Sequence, residues 1–113
     1  VAGVHPQLNK EIEMATFMTR VELHNANYQD YANLHTYMAQ EGFSNTIRSD
    51  AGAVYQLPPA EYNLIANCLQ SDAIERAKRA ATKTRKAFAV IVSEYSGCTW
   101  HGLAEVKQAA RAY

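Results

Sequence analysis

Arg20, Glu22 and His24 stand two residues apart in sequence. In an extended chain that spacing places all three on one face. A carboxylate beside an imidazole can divide proton removal and proton delivery between them. A neighbouring guanidinium can stabilise charge developing on a phosphorus centre. Together they have the chemistry for RNA cleavage, in which a base takes the 2′-hydroxyl proton and an acid protonates the departing oxygen. The same residues would equally serve as a cross-strand ion pair or a subunit contact. Glu61 or Glu94 brought beside Glu22 could help hold magnesium, but the spacing specifies no metal site. No metal or other cofactor is expected.

A second set is basic. Arg76, Lys78, Arg79, Lys83, Arg85 and Lys86 place six of the eleven basic residues within eleven positions, with only Glu75 nearby to offset the charge. Such a strip would attract RNA phosphates in a salt-sensitive, sequence-independent way, or would simply be a solvated helix face with cations near its C-terminus. A third set is aromatic: Tyr55, Tyr62, Tyr95 and Trp100 fall in or beside expected strands. They would act as stacking platforms for bases on an open sheet, or pack in a core or dimer interface. Cys68 and Cys98 are too few for a disulfide framework. His5, His24, His35 and His101 show no zinc-binding spacing. Phosphate loops, nucleophile elbows and dinucleotide fingerprints are absent.

The elements that must position these groups can be read from periodicity. Residues 16–24 alternate, with Phe17, Thr19, Val21 and Leu23 on one side and Met18, Arg20, Glu22 and His24 on the other. This is a strand covered by helices on one face only. Asn27 caps a helix with Asp30 in its first turn. Its apolar stripe runs through Tyr31, Leu34 and Met38 with Tyr37 beside it, and it ends at Gly42, onto which Phe43 folds back. A short strand over residues 44–49 turns through Asp50, Ala51 and Gly52 into a second over 53–57. Pro58 and Pro59 then interrupt, because paired prolines cannot sit inside a ladder. A further strand follows over 60–68, or the second half of one bent strand. Asp72 opens a second helix, with Glu75 at its third position as a local cap. Ala73, Ala77, Ala80 and Ala81, with Ile74, give it a thin apolar stripe. Residues 87–93 form an apolar strand. Residues 99–103 suggest a last short strand and 104–112 a terminal helix.

The order strand, helix, strand, strand, helix, strand predicts an α+β fold: a ferredoxin-like βαββαβ sandwich, its four-stranded antiparallel sheet carrying two helices on one face. Residues 1–13 contain Gly3 and Pro6 and precede Met14, which reads as a natural start. They are expected to be an added or upstream extension, with 14–113 the single domain. The 113 residues, 48% hydrophobic and 19% charged, allow one small globular core and argue against a disordered chain. Eleven basic and eleven acidic residues balance, so no global charge draws the molecule to nucleic acid or membrane. The chain has neither an apolar run long enough to span a bilayer nor a signal-peptide pattern, which predicts a cytoplasmic protein with no membrane partner.

The chain resembles a known family along residues 14–103. The resemblance is carried by Met14-Ala-Thr-Phe-Met-Thr-Arg-Val-Glu-Leu-His24, Glu41-Gly-Phe-Ser-Asn-Thr-Ile47, Tyr55-Gln-Leu-Pro58 with Glu61-Tyr62, Phe88-Ala-Val-Ile-Val92 and Thr99-Trp-His-Gly-Leu103. These segments are similar to the GhoS family, the endoribonuclease antitoxins of type V toxin–antitoxin systems. The resemblance implies a ferredoxin-like domain similar to the CRISPR-associated adaptation nucleases. It also implies cleavage of the messenger RNA of a partner toxin, a small membrane-damaging peptide. It transfers no catalytic residue by position, so Arg20, Glu22 and His24 stand on the face argument alone.

Two function classes follow. One is an antitoxin-type endoribonuclease, with the basic strip holding RNA and the polar face of the first strand carrying the chemistry. The other is a non-catalytic RNA- or protein-binding module. In either, the open sheet face predicts a homodimer. No small-molecule substrate is expected, since no convergent apolar pocket is legible.

Overall fold

The structure is a computed structural model that describes residues 13–107. The extension expected over residues 1–13 lies outside them except for Glu13. The elements are β1 (Ala15–Leu23), α1 (Tyr28–Gln40), β2 (Thr46–Arg48), β3 (Val54–Gln56), β4 (Glu61–Ala66), α2 (Gln70–Thr82) and β5 (Phe88–Tyr95). The class is α+β, with two helices and antiparallel strand pairing among the described residues.

β1 is the central strand because alternate residues along it are apolar. Phe17, Thr19, Val21 and Leu23 are all buried against the helices, and Arg20, Glu22 and His24 are exposed on the far side. β4 and β5 flank it in the order β4-β1-β5. Register places Arg20 opposite Glu61 on one side and Ile91 on the other, and Glu22 opposite Ala89.

The expected four-stranded sheet is not formed. β2 and β3 pair with each other as a separate two-stranded sheet, outside the main one. A single bridge joins them to the main sheet: Ser44 and Asn63 exchange backbone hydrogen bonds of 2.8 and 2.7 Å. The cause is local. Pro58 and Pro59 follow β3, and Ala60 takes a left-handed φ of 71°. The chain therefore swings away before β4 begins, and no continuous ladder can run from β3 into the sheet. The segment expected as a strand over 99–103 is irregular. Pairing resumes further on, where Gln56 donates to the Ala104 carbonyl and Val106 to the Val54 carbonyl, each at 2.8 Å. Residues 104–107 are not helical, and 108–112 of the expected terminal helix lie outside the described residues.

α1 begins as its residues dictate. Asn27 Oδ1 accepts from the Asp30 N–H, and Asp30 Oδ2 accepts from the Asn27 N–H, both at 2.9 Å. Gly42, at φ 97°, ends the helix, and the Phe43 N–H returns to the Met38 carbonyl. α2 starts three residues earlier than expected, so Asp72 rather than Glu75 occupies its third position. Asp72 sits inside the first turn, where its carboxylate accepts from the Leu69 N–H at 3.0 Å, the inner half of a capping arrangement. Its alanines 73, 77, 80 and 81 are fully buried, so the helix lies close on the sheet. Leu34, Met38, Phe43, Tyr62 and Leu64 complete one core beneath the sheet.

Candidate active site on the uncovered sheet face

β1 delivers the three predicted side chains to one face, but they are partnered differently. Arg20 leans across to Glu61, Nη1 to Oε2 3.6 Å, the cross-strand pair that its register dictates. Glu22 and His24 face each other along the strand, Oε1 to Nε2 3.9 Å, with side chains 64% and 50% exposed. That distance is beyond a hydrogen bond, so neither side chain is committed to the other. Opposite Glu22 stands Ala89, whose small side chain leaves the carboxylate accessible. His24 is anchored by its backbone N–H, which donates to the Ala87 carbonyl at 2.8 Å. Asn25 then turns the chain through a left-handed φ of 54° toward the cap of α1. The imidazole therefore sits at the rim of the sheet, next to the turn carrying Arg85 and Lys86.

Glu94 does not approach Glu22. Its register partner is Phe17, which places it on the helix side of the sheet. Glu61 is held by Arg20. Among the described residues no cluster of three His, Cys, Asp or Glu side chains could hold a metal ion.

The basic strip lies on the other side of the molecule, along α2, where most of its charges strap the two helices together. Arg79 grips Glu41, Nε to Oε2 3.3 Å and Nη2 to Oε1 2.9 Å, and Arg76 reaches the Glu41 carbonyl. The Arg79 guanidinium holds the Glu41 carboxyl below its ordinary value. Lys78 pairs with Glu75 at 3.0 Å and Lys86 with Asp30 at 3.7 Å. Lys83 lies over the Tyr37 ring, 5.8 Å from its centre. Arg85 alone of the six makes no polar side-chain contact among the described residues, and it is exposed at a left-handed φ of 65°. The structure thus brings only the end of the strip, Arg85 and Lys86, near His24.

The aromatic residues separate as well. Tyr62 is a core residue, 1% exposed, its hydroxyl 2.6 Å from His35 Nδ1. Tyr55 packs on Trp100, ring centres 5.5 Å apart. Tyr95 lies over the start of β1: its hydroxyl donates to Asn63 Oδ1 at 2.6 Å, while Thr16 Oγ1 donates to its carbonyl. Burial pushes the Tyr95 phenol above its ordinary value. Cys68 packs at the edge of the core and Cys98 is exposed, both as free thiols.

Beyond Tyr95 the uncovered face deepens into a cleft of about 470 Å³ between the β2–β3 hairpin and the segment after β5. Asn63 and Arg48, which line it, were not singled out from sequence. The only signal was an asparagine set within the apolar run Tyr62 to Ile65. Among the described residues, no helix is long and apolar enough to cross a membrane. Compared with known proteins, the chain matches no family model, no curated protein and no solved structure.

Proposed function

We propose that this domain is an antitoxin-type endoribonuclease that cleaves the messenger RNA of a partner toxin. The observation that carries the reading is the Glu22–His24 pair, exposed and 3.9 Å apart on an uncovered sheet face. In this reading Glu22 takes the proton of a ribose 2′-hydroxyl as that oxygen attacks the adjacent phosphorus. His24 gives a proton to the departing 5′ oxygen, leaving a 2′,3′-cyclic phosphate and a free 5′-hydroxyl. Arg20, released from Glu61 by an incoming phosphate, would stabilise the charge on the phosphorane. Arg85 and Lys86 would guide the backbone toward His24. The element order, with a hairpin where a single edge strand would stand, supports the ferredoxin-like form of the fold, and the GhoS resemblance supports the choice of RNA. The test is single-turnover cleavage of a structured RNA, with and without chelator. Glu22→Gln and His24→Ala should each slow cleavage about a hundredfold with melting temperature unchanged. Full activity in the double variant would sink the proposal.

One observation favours a second reading, a non-catalytic RNA- or protein-binding dimer. Ile65 and Ile91 are 58% and 64% exposed on the same face as Glu22. A second copy laid across that face would cover both. Sedimentation at micromolar concentration would separate the two: in the second reading Glu22→Gln alters dimerisation rather than cleavage.

A further inference from the structure

The cleft beside Tyr95 combines apolar walls, an aromatic ring and polar side chains. Ile47 and Ile65 give it apolar walls, and Trp100 lines it with an indole braced from behind by Tyr55. Asn63, which also lines it, is 7% exposed. Its Oδ1 is taken by the Tyr95 hydroxyl, and no protein acceptor among the described residues engages its amide nitrogen. That nitrogen is not sealed in the core, so the donor is open to a ligand or to water. Arg48 and Asp50 both line the cleft, so its charge is balanced and an anion alone has little hold there.

We propose that this cleft is a nucleobase-binding subsite. The base stacks on Trp100, packs against Ile47 and Ile65, and accepts a hydrogen bond from the Asn63 amide through a ring carbonyl. The ligand could be a free nucleoside or one unpaired residue of an RNA chain. Thr16, at the cleft, lies six residues before Glu22 on the same face of β1. That is roughly 20 Å of strand, so an RNA lying along β1 would seat a base here several nucleotides from the bond facing Glu22 and His24. Substrate selection would then come from this cleft, and the assignment to RNA rests on the endoribonuclease reading above.

Trp100 is the only tryptophan in the chain, so its fluorescence reports on the cleft directly. Uridine, its monophosphate, ribose 5-phosphate and inorganic phosphate are titrated separately, followed by a short single-stranded oligouridylate. The nucleoside and nucleotide should quench Trp100 with affinities within a few-fold of each other, and the two base-free compounds should not. Asn63→Asp keeps an oxygen for the Tyr95 hydroxyl but removes the amide donor. It should weaken uridine binding at least tenfold, and the oligonucleotide likewise. Uridine should also slow alkylation of Cys98, which lines the cleft, and leave Cys68 unaffected. Quenching by ribose 5-phosphate or phosphate alone, or uridine binding unchanged in Asn63→Asp, would overturn the subsite. So would oligonucleotide binding that leaves Trp100 and Cys98 unperturbed, and that result would spare the endoribonuclease reading. Uridine binding as described, with no cleavage of any RNA, would uphold the subsite and remove the nuclease.

Discussion

His35 Nδ1 and the Tyr62 hydroxyl meet at 2.6 Å, tying α1 to β4 through the core. Burial raises the Tyr62 phenol far above its ordinary value, so the hydroxyl keeps its proton. Either the phenol donates to Nδ1 or Nδ1–H donates to the phenol oxygen, according to the imidazole tautomer.

Burial lowers the His35 pKa from its ordinary 6.5. The unfolded chain therefore binds a proton that the folded one refuses. The stability this confers is complete above pH 6.5 and is lost as pH falls below that value toward the folded pKa. Thermal melts between pH 7.5 and 5 should show a falling midpoint. His35→Gln, which keeps an acceptor but does not titrate, should flatten that slope. An equal slope in the variant would assign it to other groups.

Thr19 is fully buried in the middle of β1, and its hydroxyl has no hydrogen-bond partner among the described residues. Valine has nearly the same shape and nothing to leave unsatisfied. Thr19→Val should raise unfolding free energy by about 1 kcal/mol in denaturant titrations. A loss of stability would mean that the hydroxyl is satisfied in solution.

The basic strip should divide into two functional groups. Arg79 lowers the Glu41 pKa through a direct hydrogen bond, so that pair adds stability above pH 4.5 that disappears as pH falls through the folded value. Arg79→Met should remove this acid-side dependence at low salt, with little change in RNA binding. Arg85→Ala should do the reverse: an unchanged melt, weaker RNA binding and a shallower dependence of log affinity on log salt. If Arg79→Met flattened the RNA salt slope as much as Arg85→Ala, the helix face itself would be the RNA contact.

Local chemistry alone determined much of this protein. The alternation in β1, the reciprocal Asn27–Asp30 cap, the Gly42 stop and the alanine stripe of α2 each depend on residues a few positions apart. Backbone geometry relates such neighbours directly, so they were legible before any folding. The exposed polar face holding Glu22 and His24 was legible for the same reason.

Tertiary structure decided what each face meets. The antiparallel lie of α1 against α2 brought Asp30 to Lys86 and Glu41 to Arg79, so part of the basic strip also ties the two helices together. Tyr62, Tyr95 and Trp100 look alike in sequence, but strand register sends the first into the core and the second over β1, while the irregular segment after β5 carries the third to a cleft wall. The paired prolines marked a break, yet whether the strands on either side would share one sheet depended on the path of the chain after Ala60. Contacts between residues far apart in sequence follow from how layers stack, and no local spacing encodes that stacking.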